Sequence, residues 1–267
     1  MGITYVYFGL SYLGALAFEL VRQARPSAAA RIGGLIFGSA GLVAHTIFLV
    51  AHLPNPASAQ GSLLMLAWVL AVFYLYGSVH HQSPAWALFV LPVVLILVGL
   101  SFGLSGDGTE FGSWFSPEHF WGAVHGVLVL GASVGITVGF LASVMYLVQV
   151  ERLRRKRNPL GGLRLLSLER LETMNRRAIN LAFPLLTVGL LLGLFRVPLS
   201  EASGMSWRDP KVVGTVGLWV VALLLLYLRY WAHALPRRLA WLTIVAFGIM
   251  LVTLTASHPF AAGEGVR

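Results

Sequence analysis

Eight histidines stand out in a chain that is 57% hydrophobic and only 11% charged. An imidazole inside an apolar segment is costly unless it is paired, hydrated or bound to a metal. Neutral imidazole is also a good ligand for haem iron and brings no charge that needs compensating. His45 lies within one apolar run and His52 at its end; His119 and His125 open another run; His258 closes the last. Threaded through a bilayer, these five gather toward one face, whereas His80, His81 and His233 fall at the other. For any one of them, hydrogen-bonded packing is the ordinary role. Several at one depth point to a ligand site, with His45 and His125 one to two turns below the surface. His52 and His119, at interface level, read as solvated. The His80–His81 pair reads as a wet helix end, with a second haem or entry site as the alternative.

The loop Gly204-Met205-Ser206-Trp207-Arg208-Asp209-Pro210-Lys211 lies on the same side as those five histidines. A flat aromatic with Arg208 and Lys211 beside it suits a porphyrin, whose ring stacks and whose propionates need cations. An interfacial loop with an anchoring Trp is the plainer reading.

Other chemistry is excluded or unsupported. The chain has no cysteine, so it makes no disulfide, thiolate metal site, iron–sulfur cluster or covalent haem attachment of its own. Asp107, Glu110 and Glu118 share one outer loop, and only Glu19 lies near a span end, which speaks against a proton-coupled transporter. No phosphate loop follows a strand, no dinucleotide glycine pattern appears, and no Ser–His–Asp arrangement can be argued from spacing. Bond-making catalysis is therefore not expected of this chain.

The elements that must position these residues are apolar runs near the roughly 20 residues that cross a bilayer. Spans are expected at 3–21, 32–52, 62–79, 85–104, 119–149, 178–195, 212–232 and 239–257. The fold class is all-α, a polytopic membrane helical bundle of about eight transmembrane helices forming a single domain. The last turns of the long fifth span should continue into the cytoplasm. Of the 19 basic residues, fifteen fall on one side of this topology and four on the other, which puts both termini outside. The net charge of +9 thus reports membrane orientation, not nucleic acid. A cleavable signal peptide is not expected, because no base precedes the first span and Arg22, Arg25 and Arg31 follow it. Residues 163–177 read as an amphipathic cytoplasmic surface helix, serving as an anionic-lipid anchor or as a docking surface for a cytosolic protein. Gly122, Gly126, Gly131, Gly135 and Gly139 in the fifth span suggest close helix packing. No repeat of fixed period is found.

At this point the sequence resembles the CcsA/CcmC/HemX superfamily of membrane cytochrome c assembly proteins. Trp207-Arg208-Asp209-Pro210-Lys211 looks like the end of that family's tryptophan-rich segment. Ser167-Leu168-Glu169-Arg170-Leu171 up to Asn175, then Phe183-Pro184-Leu185-Leu186-Thr187-Val188-Gly189, resemble its amphipathic segment and following span. Gly61-Ser62-Leu63-Leu64-Met65-Leu66-Ala67-Trp68 resembles its third span here. His125 and His258 fall where the family has external histidines on either side of the tryptophan-rich loop. The likeness covers roughly residues 30–260.

The resemblance implies a non-covalent haem b with His125 and His258 as axial iron ligands. It further implies Trp207 stacking on the porphyrin, Asp209 orienting the loop, and His45 in the place of a second-span histidine of HemX-like members. Two departures accompany it. Only Trp207 remains of the tryptophan run, and Arg229 stands where haem-transporting members carry a span-seven histidine. The chain therefore looks closer to the HemX/YpjD-like branch than to a complete cytochrome c synthase.

Three roles follow. The first is a haem-handling protein of cytochrome c assembly, in a bacterial cytoplasmic (inner) membrane. The second is a HemX-type non-catalytic regulator that uses loop 151–177 to bind a haem-biosynthesis enzyme. The third is a haem b electron-transfer subunit with His45 as a ligand. The partners implied are the lipid bilayer, haem and other assembly or haem-biosynthesis proteins, with no nucleic acid.

Overall fold

A computed structural model describes residues 5–54, 58–80, 84–104, 117–155, 165–196 and 209–256. These residues form eight helices: α1 (Tyr5–Ala24), α2 (Ala28–His52), α3 (Ala59–His80), α4 (Pro84–Phe102), α5 (Pro117–Arg154), α6 (Leu168–Arg196), α7 (Pro210–Tyr230) and α8 (Pro236–Thr255). Six of them, α2, α3 and α5 to α8, are long and apolar enough to cross a bilayer. α4 carries no charged residue over its 19 residues, and α1 carries Glu19 and Arg22 in its last turns. Helices satisfy every backbone group internally, which is what a hydrocarbon environment demands.

Helix ends follow local chemistry. Ser27 caps α2, its hydroxyl accepting from the Ala30 amide at 3.1 Å. Leu53, at φ 39°, closes α2 with a left-handed residue, and Pro54 follows it. α5, at 38 residues, is about 57 Å long, well beyond one hydrocarbon thickness, and runs on to Arg154 as its sequence suggests.

One element differs from the sequence reading. The expected surface helix and the sixth span are one continuous helix, α6, from Leu168 to Arg196. The physical reason is Asn175, only 5% exposed. Its Nδ2 donates to Gly139 O at 3.0 Å, Ser143 Oγ at 2.9 Å and Thr243 Oγ1 at 3.1 Å, and its Oδ1 accepts from Arg229. One amide thus ties α5, α6, α7 and α8 together and holds the amphipathic stretch in the bundle.

Asn175→Ala should lower unfolding stability by about 2 kcal/mol, because it leaves a guanidinium and two hydroxyls without that partner. Ser143→Ala should cost only about 0.6 kcal/mol, the average of a single interhelical hydrogen bond in membranes. Tryptophan fluorescence during denaturant unfolding in micelles reads both. Equal effects of the two substitutions would remove the hub from this account.

The packing falls into two groups of four. α5 lies most closely on α6, and the glycines explain why: a Cβ at Gly135 would stand 2.8 Å from Ala182 Cβ and 3.0 Å from Ala178 O. Close approach at small residues is how membrane helices gain dispersion contacts without a hydrophobic driving force. Within α1–α4, helix 1 packs on 2 and 4, and 3 on 2 and 4; within α5–α8 the pattern recurs in the same order. The two groups meet mainly through α3 against α5 and α8. A matching hydrogen bond marks the correspondence: Trp68 Nε1 donates to Thr46 Oγ1 at 2.8 Å in the first group, and Trp219 Nε1 to Thr187 Oγ1 at 2.9 Å in the second. The Thr-to-Trp separation is 22 residues in one and 32 in the other, which is why no fixed period shows in the sequence.

Candidate functional site

His125 sits in the third turn of α5, facing α6. Its Nδ1 is 2.7 Å from the carbonyl oxygen of Gly189, 64 residues away. A carbonyl only accepts, so Nδ1 carries the proton and Nε2 carries the lone pair. An imidazole that donates one N–H to a backbone carbonyl is held in the tautomer and orientation of a metal ligand. The room for the ring comes from glycine. A Cβ at Gly193 would lie 3.0 Å from His125 Cε1 and 3.3 Å from Nδ1, and one at Gly189 would lie 3.1 Å from Val129 Cγ2. The Gly189–Gly193 pair is thus a groove on α6 into which α5 presses its histidine. Sequence reasoning missed both glycines. The four-residue spacing of small residues was the available signal.

Asp209 is the N-cap of α7: its carboxylate accepts from the Lys211 amide at 3.1 Å, and Pro210 fills the first helical position. The cap fixes the junction where the tryptophan loop enters the helix. Further along α7, Trp219 is anchored to α6 by Thr187 and stacks on Phe183 with centroids 6.0 Å apart. Trp207, Arg208 and His258 lie outside the described residues.

His45 has different surroundings. It is fully buried between α1 and α2, with Phe8 stacked on its ring at 4.3 Å and an interplanar angle of 1°. Tyr12 Oη is hydrogen-bonded to Nδ1 at 3.3 Å, while Nε2 is buried with no hydrogen-bond partner among the described residues. An iron reaching Nε2 would have to displace the packing that covers it. His45 and His125 belong to different four-helix groups. Among the described residues no three His, Asp or Glu side chains converge on a common point. At Arg229, where the resemblance expects a histidine in haem-transporting members, the guanidinium donates to Asn175 Oδ1.

Apolar helices in two four-helix groups, with an oriented imidazole in the second, define a polytopic helical integral membrane protein with one candidate ligand position at the histidine-bearing end. The chain belongs to the cytochrome C assembly protein family, whose model matches residues 57–258, from the start of α3 to the end of α8. The cytochrome c biogenesis protein CcsA of Prochlorococcus marinus (strain MIT 9312) is 26% identical over 213 residues, covering 72% of this chain and 68% of its own length. CcsA of Guillardia theta is 23% identical over 209 residues, covering 72% and 69%. CcsA of Thermosynechococcus vestitus is 37% identical over a shorter stretch of 90 residues, 33% of this chain and 28% of its own. Among solved structures, the cytochrome c heme lyase CcmF has a similar fold, with a TM-score of 0.58 at 17% identity. That likeness covers 97% of this chain and 47% of CcmF, so the chain spans about half the length of that protein.

Proposed function

We propose that this protein holds haem at the outer face of a bacterial cytoplasmic membrane and presents it for cytochrome c assembly. The observation that carries the reading is the 2.7 Å hydrogen bond from His125 Nδ1 to the Gly189 carbonyl, which leaves Nε2 as the nitrogen suited to iron. His125 and His258 are the axial ligands in this reading, and Trp207 is the stacking surface. Arg208 supplies a cation for a propionate, and Asp209 holds the loop in register with α7. His45 has another part: it packs α1 on α2. Haem b, when bound, would supply an iron for which the neutral imidazoles of His125 and His258 would be the ligands. This chain's residues fix its orientation and exclude other ligands.

The test is an absorption spectrum of detergent-purified protein, oxidised and reduced, with pyridine haemochrome quantitation. About one haem b per chain with sharp low-spin bands is the expected result. A protein that is haem-free and takes up no added haemin would sink the proposal.

The groove glycine gives a finer check. Gly193→Ala places a methyl 3.0 Å from the imidazole, so the ring must give by a few tenths of an ångström. Haemin affinity should fall roughly tenfold, as for other changes behind a metal ligand, with helical content unchanged. Unaltered affinity and Soret position would mean that the Gly193 groove does not orient a ligand.

A further inference from the structure

Among the described residues three buried side-chain polar atoms have no hydrogen-bond partner, and two of them, Arg31 Nε and Ser78 Oγ, belong to one cluster. The cluster surrounds Gly34. Glu19 approaches from α1, and a Cβ at Gly34 would stand 3.1 Å from its Oε1. Tyr74 approaches from α3, its hydroxyl donating to Gly34 O at 3.1 Å. Ser78, one turn further along α3, lies beside the Tyr74 hydroxyl, and Arg31 lies within electrostatic reach of Glu19. Glu19 gives both oxygens to Arg22, and Arg31 makes no direct ion pair with it. Buried groups such as the Arg31 Nε–H and the Ser78 hydroxyl are satisfied in proteins by other side chains, by backbone or by ordered water.

The second four-helix group repeats this arrangement with the charges redistributed. Counted from the bonded Thr–Trp pairs, Gly34 and Asn175 hold the same place on the second helix of each group, and Arg31 and Glu172 the same place three residues earlier. Ser78 and Arg229 likewise hold the same place on the third helix. Ser143 faces Asn175 as Glu19 faces Gly34. Arg229 and Glu172 attract each other without a direct ion pair, and both line a space of about 10 Å³ together with Ser143, Tyr146 and Asn175. That is about the room one water molecule needs. Polar partners held apart in this way are commonly joined through water.

We propose that each four-helix group holds one ordered water molecule at this corresponding place. In the first group it joins Arg31 Nε to Ser78 and Glu19, and in the second it joins Arg229 to Glu172. Water fits because it accepts from a guanidinium and donates to a carboxylate at the same time. An anion would accept from Arg31 but would meet the Glu19 carboxylate, which lies against the same glycine. Asn175 Oδ1 takes one N–H group of Arg229, and the fork of an arginine has others to give to the water. Neither site depends on haem.

The test exposes full-length protein in nanodiscs to an X-ray pulse that makes hydroxyl radicals from water, and mass spectrometry reads the oxidised side chains. Bound water labels its neighbours even where bulk solvent does not reach. Tyr74, 0% exposed, should be oxidised, whereas Met250, 1% exposed and the more reactive side chain, should not. Ser78→Val, which puts a methyl group in place of the hydroxyl, should lose the Tyr74 label with helical content unchanged. A structure at a resolution that shows ordered water should place one molecule within hydrogen-bond distance of Arg31 Nε and Ser78 Oγ, and one between Arg229 and Glu172. A Tyr74 label no stronger than that of Met250 would overturn the proposal, as would direct Arg31–Glu19 and Arg229–Glu172 ion pairs in that structure. Water in one group alone would also overturn it. So would bromide located at Arg31 by its anomalous scattering, which would show that the occupant is an anion.

Discussion

His125→Ala should abolish the low-spin haem b spectrum proposed for the purified protein, and added imidazole should restore part of it. The substitution removes the Nε2 lone pair and leaves the Gly189 carbonyl without the donor that now sits 2.7 Å away. Changes behind a metal ligand cost ten- to a hundredfold in affinity, so loss of the ligand itself should weaken retained haem by more than about a hundredfold. Exogenous imidazole can enter the vacated slot between α5 and the Gly189–Gly193 groove, because the glycines there contribute no side chain of their own. Rescue by imidazole separates a ligand role from a structural one, since a helix-packing defect would not respond to it. Normal haem loading in a His125→Ala/His258→Ala double variant would sink the outer-site reading.

Glu19→Ala should destabilise the first four-helix group by about 3 kcal/mol or more, the usual cost of removing one partner of a buried ion pair. Glu19 is fully buried and Arg22 is 8% exposed, with Oε2 and Oε1 at 3.0 and 3.2 Å from the guanidinium. Gly34 makes room for the carboxylate, since a Cβ there would stand 3.1 Å from Oε1. Arg31 adds a second cation nearby, and its Nε is buried with no hydrogen-bond partner among the described residues. An exposed pair of the same type, such as Arg155–Glu151 at 2.6 Å, is screened by solvent and should contribute little to stability. The double variant Glu19→Ala/Arg22→Leu should recover much of the loss by removing the stranded charge. Denaturant midpoints in micelles decide the matter. A Glu19→Ala effect as small as that of Glu151→Ala would mean that Arg22 reaches solvent by snorkelling and needs no partner.

Much of this was legible in the sequence because hydrocarbon imposes simple rules. Long apolar runs broken by Pro and by charge can be little other than helices, and the all-helical bundle follows. Gly131, Gly135 and Gly139 of α5 read correctly as packing residues, Gly135 most clearly because only a missing side chain permits the approach of Ala182, whereas a Cβ at Gly126 would meet nothing within 4 Å. Asp209 before Pro210 is a helix-start signal that needs no tertiary information. His125 was visible as a candidate, but its orienting partner was not. That partner is a backbone carbonyl, which every residue possesses, and nothing local selects Gly189 from its neighbours. The unity of α6 was hidden for a related reason. Arg170, Arg176 and Arg177 give residues 168–177 a surface character, and it is the buried Leu171 together with Asn175, with partners on three other helices, that fixes the stretch in the bundle. The recurrence of the four-helix pattern was masked by the longer Thr-to-Trp spacing in the second group.

That recurrence bears on how the chain is made. Four consecutive antiparallel helices end on the side from which they began, so a second copy joined behind the first enters the bilayer in the same sense. A tandem doubling of such a unit needs no inversion of either copy, unlike units with an odd number of crossings. Two chains cut between α4 and α5, 1–110 and 111–267, should therefore each insert by themselves in the native direction. Their reassembly then depends on the face that α3 offers to α5 and α8.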